Sequence, residues 1–221
     1  MSISNETRGR IKRVFEPIAL WMGRLGLTPD GLTLIGFGIT ALGAASLALQ
    51  LWLVGGLLLI VGGVFDMFDG TLARATATVS PFGAFLDSVF DRAGEAIVYL
   101  GIVWGAVLAG PSSSEIGLLG SDIVVILAAA AMGAAFMVSY TRARSEGLGF
   151  TAGTRMAAVG VLPREVRLLI LSLGLVLTGA TASFAFLAIA LAVIAIGATI
   201  TVIQRILHVR SQAKSATNPI L

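Results

Sequence analysis

Asp66-Met-Phe-Asp69-Gly70-Thr-Leu-Ala73-Arg74, eight further residues, and Gly83-Ala-Phe-Leu-Asp87-Ser-Val-Phe-Asp91 place four carboxylates inside two of the most apolar segments of the chain. On a helix, residues three or four apart share a face, so Asp66 projects with Asp69 and Asp87 with Asp91. Gly70, Pro81 and Gly83 make the intervening stretch rich in turn residues, and it is long enough to reverse the chain and set the two faces opposite one another. Two opposed carboxylate pairs in an apolar setting repel unless positive charge lies between them. There is no cysteine, and the single histidine, His208, lies far along the chain, so the ligands on offer are oxygens. Oxygen ligands suit hard divalent ions such as Mg²⁺, Mn²⁺ or Ca²⁺.

The rest of the composition agrees with helices in lipid. Of 221 residues, 57% are hydrophobic and 12% charged, which is not the balance of a soluble globular domain. The expected class is all-α, a polytopic membrane protein. Without cysteine, disulfides and thiolate metal sites are excluded. The net charge of +3 comes from short arginine-rich segments and points to anionic lipid headgroups and phosphorylated substrates. No nucleic-acid module is recognisable, so no nucleic-acid partner is expected. The charged N-terminal stretch lacks a small-residue cleavage pattern, and a removable signal peptide is not expected.

From residue 6 to 25, Ile11, Val14, Phe15, Ile18, Leu20, Trp21, Met22 and Leu25 alternate with Arg8, Arg10, Lys12, Arg13 and Arg24, which predicts an amphipathic helix on the membrane surface. Leu27-Thr28-Pro29-Asp30-Gly31-Leu32-Thr33 then makes a turn into the first span, with Asp30 or Thr33 as the expected helix cap. Apolar runs over about 32–50, 51–68, 82–109, 123–140, 166–179 and 184–203 predict a six-transmembrane-helix bundle, the spans lying within 32–206 of one domain that covers 1–221. The fifth run is short and must recruit its flanks. Tight links at Gln50-Leu51 and near Thr178 to Ser183 imply antiparallel hairpins, and Gly110-Pro-Ser-Ser-Ser reads as a loop. All fifteen lysines and arginines fall before the first span, between or just inside alternate spans, or after the last. By the positive-inside rule both termini and the aspartate stretch face the cytoplasm, in a multi-pass protein of the cell membrane. Gly55, Gly56, Gly62, Gly63, Gly101 and Gly105 are expected to let helices approach closely. Trp21, Trp52 and Trp104 are expected as interfacial anchors and His208 as a headgroup contact.

The aspartate stretch resembles the signature of the CDP-alcohol phosphotransferases, in which D-x-x-D-G-x-x-A-R is followed by eight residues and then G-x-x-x-D-x-x-x-D. Every fixed position and spacing of that pattern is present. The resemblance implies an enzyme that transfers the lipid phosphate of a CDP-lipid, such as CDP-diacylglycerol, to a small polar alcohol and releases CMP. It implies two Mg²⁺ ions, or Mn²⁺, held by Asp66, Asp69, Asp87 and Asp91. In this scheme Asp91 also takes the proton of the incoming hydroxyl. The turn residues Pro29, Asp30, Gly31 and Leu32 would line the nucleotide pocket, because family members often carry L-T-P-N/D-x-x-T at this point. Asp66, Asp69, Gly70, Arg74 and Ser80 would complete the CDP-lipid site, Gly70 because a side chain there would obstruct the ligand. The resemblance also implies a homodimer.

Three arginine groups, in Ser139-Tyr-Thr-Arg142-Ala-Arg144-Ser-Glu146, in Arg164-Glu-Val-Arg167 and in Gln204-Arg205, fall at ends of spans on one membrane face. Separated guanidinium groups of this kind can enclose a phosphate that is not part of the CDP-lipid, which suggests a phosphorylated polyol as acceptor. These segments look like those of the actinobacterial phosphatidylinositol phosphate synthases within the family, a pattern that assigns Arg142, Arg164 and Arg205 to inositol 1-phosphate. The chain departs from it in having arginine at 142 for lysine, R-E-V-R for R-P-E-R, and Glu95 where aspartate is common. Glycerol 3-phosphate, the acceptor of a phosphatidylglycerophosphate synthase, is the nearest alternative. A cation transporter with an aspartate-lined path is the alternative of another class.

Overall fold

A computed structural model describes residues 5–110, 120–150 and 156–217. These residues form α1 (Asn5–Arg24), α2 (Pro29–Ala48), α3 (Trp52–Ala75), α4 (Pro81–Ala109), α5 (Ser121–Gly147), a 3₁₀ turn (Met156–Ala158), α6 (Arg164–Thr181) and α7 (Ala185–Thr217). There is no strand among the described residues. The segment 111–114 of the expected Gly110 loop lies outside them, as do the side chains of α1 before Phe15.

Two helices of the bundle begin in the same way. Thr28-Pro29-Asp30-Gly31 opens α2 and Ser80-Pro81-Phe82-Gly83 opens α4, each with proline in the first turn and a hydroxyl accepting the amide of the glycine, at 3.1 Å for Thr28 and 2.9 Å for Ser80. Proline has no amide to satisfy and its fixed φ suits the first helical position, so the capping residue is the one just before it. The cap of α2 is therefore Thr28, neither Asp30 nor Thr33. Thr33 is already inside the helix, where its hydroxyl approaches the Pro29 carbonyl at 3.2 Å and bonds to a residue of α3.

The six predicted apolar runs correspond to α2 through α7. Five of them, α2, α3, α4, α5 and α7, are long and apolar enough to cross a membrane, and the chain is a multi-pass membrane protein. The sixth, α6, has 18 residues and carries Arg164, Glu165 and Arg167 at its start, so it falls short by that measure and still packs between α3 and α7. Leu100, Trp104, Ile126, Leu169 and Ile196 point outward, as side chains facing lipid do. Inside, Leu47, Leu59, Ile102, Leu175, Leu187, Leu191 and Ile194 belong to one continuous core.

Close helix approach is clearest between α2 and α4. A methyl group on Gly101 would run into the Ala44 carbonyl, and one on Gly105 into the Leu47 carbonyl. Because the obstacle is backbone, no rotamer change relieves it. On the other side of the bundle, Ala19 and Met22 of α1 pack on Leu32, Phe68 and Leu72, and the Phe15 and Phe68 rings meet at 5.2 Å. α1 is thereby fixed across the motif end of α3. Trp21 and Trp104 are exposed as expected of anchors, whereas Trp52 is half-buried and meets Phe184 edge-on at 5.4 Å. His208 is also only half-exposed, its Nε2 3.1 Å from Gln212 Nε2.

Candidate active site

The carboxylates occupy facing ends of α3 and α4. Asp66 and Asp69 lie one turn apart on α3, Asp87 and Asp91 one turn apart on α4, and the link 76–80 turns the chain back between them. All four are close enough for their charges to act on one another: Asp69 senses Asp87 and Asp66, while Asp91 senses Asp87 and Asp66. Asp69 is 6% exposed, and both of its oxygens are held, Oδ2 by Thr33 Oγ1 at 2.7 Å and Oδ1 by the Gly70 amide.

Positive charge comes from α6. Arg164 Nη2 lies 2.9 Å from Asp66 Oδ2 and 2.7 Å from Asp91 Oδ1, so one guanidinium joins the two carboxylate helices. Arg92 Nη2 stands 3.7 Å from the other oxygen of Asp91. The cleft beside these groups is lined by Thr33, Phe37, Thr40, Asp66, Asp91, Glu95, Tyr99, Arg164 and Arg167. It is polar at the carboxylate end and apolar deeper, toward Leu59, Val98 and Leu171.

The donor set suits a hard divalent cation: four aspartates, all oxygen, mutually repelling, gathered from two helices. As the side chains lie, no three of His, Cys, Asp or Glu among the described residues stand together as ligands of one ion. Arg164 holds one oxygen of Asp66 and one of Asp91, while both oxygens of Asp69 are held by Thr33 and Gly70. The chemistry of this all-oxygen donor set fits a divalent metal, and here Arg164 supplies the positive charge between Asp66 and Asp91.

Gly70 and Arg74 sit together. A methyl group on Gly70 would lie 3.1 Å from Arg74 Nη1, so the guanidinium of this exposed arginine folds back over the glycine, with Nη2 3.4 Å from Thr71 Oγ1. Across the turn, a methyl on Gly83 would stand 3.1 Å from both Asp30 Oδ1 and Ser80 Oγ, so the start of α2 and the start of α4 adjoin. Pro29, Asp30, Gly31 and Ser80 thus cluster beside the motif. Leu32 does not: its side chain is buried in the core shared by α1 and α3.

The three arginines expected at an acceptor phosphate are placed differently from one another. Arg164 is on the aspartates. Arg142 is exposed and pairs with Glu146 at 3.0 Å. Arg205 is 5% exposed and donates from Nε to the Val159 carbonyl at 3.0 Å and from Nη1 to the Val138 carbonyl. Arg205 is within electrostatic reach of Arg142 and Arg167.

Three residues at the cleft are not singled out by the sequence: Thr33 reads as a cap, Glu95 as a departure from a pattern, and Arg167 as part of R-E-V-R. Glu95 is four residues beyond Asp91 and Arg167 three beyond Arg164, so the helical period that paired the aspartates extends to both.

Known proteins resemble the chain over nearly its full length. The archaetidylinositol phosphate synthase of Pyrococcus horikoshii is 34% identical over 208 residues, 94% of this chain and 97% of that protein. The phosphatidylinositol phosphate synthase of Mycobacterium tuberculosis, crystallised with manganese and citrate, superposes with a TM-score of 0.75 at 27% identity over 89% of each chain. The same protein with CDP-DAG bound gives 0.74 at 28% identity, over 89% of this chain and 94% of that one. The family model for CDP-alcohol phosphatidyltransferase matches residues 26–203, a span that takes in the α2 turn, all four aspartates, Arg142 and Arg164, and the chain belongs to that family.

Proposed function

We propose that this enzyme transfers the lipid-bearing phosphoryl group of a CDP-lipid, CDP-diacylglycerol or a close relative, to inositol 1-phosphate, with release of CMP. The acceptor hydroxyl oxygen attacks the β-phosphorus, which carries the lipid. The bond from that phosphorus to the bridging oxygen breaks, the electron pair leaves with CMP, and the hydroxyl proton passes to the Asp91 carboxylate. Asp66, Asp69, Asp87 and Asp91 would hold two Mg²⁺ ions, with Mn²⁺ able to replace them, and such ions offset the charge of the diphosphate. Asp30 and Ser80, beside the motif, and Arg74, folded over Gly70, serve the nucleotide end. Arg164 gives up its carboxylates and turns to phosphate, joined at the acceptor end by Arg142 and by the remaining Nη2 of Arg205.

Aspartates of two helices, Asp66 of α3 and Asp91 of α4, meeting a guanidinium from a third at one cleft, with Asp69 and Asp87 one turn away, is the observation that carries this assignment. The relatives support the acceptor, since both named synthases make an inositol phosphate lipid. Membership of an enzyme family replaces the alternative of an ion path through the aspartates. We further infer that the motif faces the cytoplasm, from the distribution of basic residues, and that the enzyme is a homodimer.

The test uses purified protein in detergent with CDP-diacylglycerol and Mg²⁺. Inositol 1-phosphate, glycerol 3-phosphate and unphosphorylated inositol are offered in turn, and CMP and the lipid product are measured. Inositol 1-phosphate is expected to give the highest turnover. Product from glycerol 3-phosphate alone would shift the acceptor and keep the reaction class.

A further inference from the structure

Helices α4 and α6 flank the cleft, yet they are not among the helix pairs that pack extensively on one another. Two ion pairs span the gap between them. The first is Asp91 to Arg164, at 2.7 Å. The second, one turn further along both helices, is Glu95 Oε1 to Arg167 Nη2, at 3.0 Å. Residues 91 and 95 share a face of α4, residues 164 and 167 share a face of α6, and the pairs stack as two rungs.

The rungs differ in what else holds them. Asp91 and Arg164 belong to the reaction, and a bound phosphate competes for the guanidinium. Glu95 and Arg167 have further protein partners. Glu95 Oε2 accepts from Arg92 Nη1 at 2.5 Å, and that same nitrogen lies 2.6 Å from Ser139 Oγ on α5. Arg167 Nη1 lies 3.3 Å from the Leu162 carbonyl, in the segment that leads into α6. Side-chain exposure is 13% for Glu95 and 3% for Arg167. Losing Glu95 leaves Arg167 as an uncompensated buried charge, and losing Arg167 leaves Glu95 to Arg92 alone, so either change breaks the link from α4 to α6.

We propose that Glu95 and Arg167 form a positioning strut that holds α6 at its working distance from α4, and so sets the width of the acceptor end of the cleft. The strut touches neither the CDP-lipid nor the reacting atoms. It governs how tightly a phosphorylated acceptor is held and how well acceptors of different size are told apart. This rests on the proposed placement of the acceptor beside Arg164.

Steady-state kinetics on the purified full-length enzyme test it, with CDP-diacylglycerol and each of inositol 1-phosphate and glycerol 3-phosphate. Glu95→Gln and Arg167→Gln are each expected to raise the acceptor KM about tenfold, with the CDP-diacylglycerol KM within about twofold of wild type. The double variant is expected to be no worse than the poorer single one, because both changes break the same strut. Multiplying effects in the double variant would mean that Arg167, whose Nε is buried without a hydrogen-bond partner, meets the acceptor directly, and would overturn the proposal. Equal rises in both KM values, or none, would also overturn it. Should Glu95→Gln fail to yield monodisperse protein, Glu95→Asp keeps the charge and shortens the strut by one C–C bond, roughly 1.5 Å. It is then expected to change the ratio of kcat/KM for the two acceptors, and an unchanged ratio refutes the strut. Wild-type turnover of glycerol 3-phosphate alone overturns the acceptor assignment only, and the same KM comparison on that acceptor decides the strut.

Discussion

Thr33 Oγ1 donates a 2.7 Å hydrogen bond to Asp69 Oδ2, joining α2 to α3 between residues 36 apart in sequence. The Thr28-Pro29 start sets the phase of α2, and that phase turns Thr33 toward the motif helix. With the Gly70 amide on its other oxygen, the Asp69 carboxylate has a fixed orientation. Groups that orient a ligating carboxylate commonly cost ten- to a hundredfold in metal affinity or activity when lost. Thr33→Val is therefore expected to lower CMP release about tenfold and to raise the Mg²⁺ concentration needed for half-maximal rate. Thr33→Ser, which keeps the hydroxyl, should stay within about threefold of wild type. Equal Mg²⁺ requirements in the Val variant and wild type would remove Thr33 from this role.

Asp66, Asp69 and Asp87 are proposed to share metal, so losing one charge weakens a common site. Asp66→Asn should retain less than about a hundredth of wild-type activity at saturating Mg²⁺, while the protein still purifies as a folded species. Chelation with EDTA should abolish wild-type turnover, and Mg²⁺ or Mn²⁺ should restore it. More than about a tenth of the activity in Asp66→Asn would contradict the shared site.

For Asp91 the expectation differs, because its main task is to accept a proton. Asp91→Asn should keep most of the metal binding seen by titration and lose turnover by orders of magnitude. If binding disappears along with activity, Asp91 is chiefly a ligand and another group takes the proton.

The carboxylate face was legible because it depends on local spacing alone. Residues three or four apart on one helix share a face whatever the tertiary structure, whereas the matching Thr28 and Ser80 caps of α2 and α4 emerge only in the structure. The six helices followed from apolar runs, with the exception that α6 carries its charges inside the helix and so has a shorter apolar stretch. Long-range partners were less legible. Nothing local in Thr33 distinguishes a cap from a carboxylate donor, and the choice was made by Pro29, which assigns the cap to Thr28. The resemblance of R-E-V-R to R-P-E-R assigns Arg164 to the acceptor. Its position on Asp66 and Asp91 depends on α6 packing against α3, which no spacing encodes. Arg205 posed the same difficulty, since its carbonyl partners Val138 and Val159 have side chains that say nothing of their backbone.

Packing of α2 on α4 gives a stability prediction independent of chemistry. Gly101→Ala drives a methyl group into the Ala44 carbonyl, where only a shift of helices makes room. A loss of about 1 to 3 kcal/mol is expected, read as a lower Tm in detergent. Gly133 in α5 is the control, since nothing lies within 4 Å of a methyl added there. Gly133→Ala should leave Tm unchanged or raise it slightly, because alanine is the better helix former. Equal Tm for the two variants would mean that the α2 to α4 contact contributes nothing to stability in detergent.

The arginines can be separated by asking which of them also supports the fold. Arg142 is exposed and pairs with Glu146 one turn away, an arrangement worth little to stability. Arg205 instead binds two main-chain carbonyls, one on α5 and one before α6, so its removal loses two charge-assisted bonds that tie these segments to α7. Arg142→Ala should accordingly raise the KM for inositol 1-phosphate with Tm unchanged, and Arg205→Ala should raise that KM and lower Tm together. Arg164→Ala removes the guanidinium proposed to turn to phosphate beside the aspartates, so it should lower turnover as well as acceptor affinity, the latter by about ten- to a hundredfold for loss of a charged contact. All three should leave the KM for CDP-diacylglycerol within about threefold of wild type, since none of them lies at the nucleotide end. A matching rise in both KM values for Arg142→Ala would show that this exposed arginine serves the whole cleft or the membrane surface, and would take it out of the acceptor site.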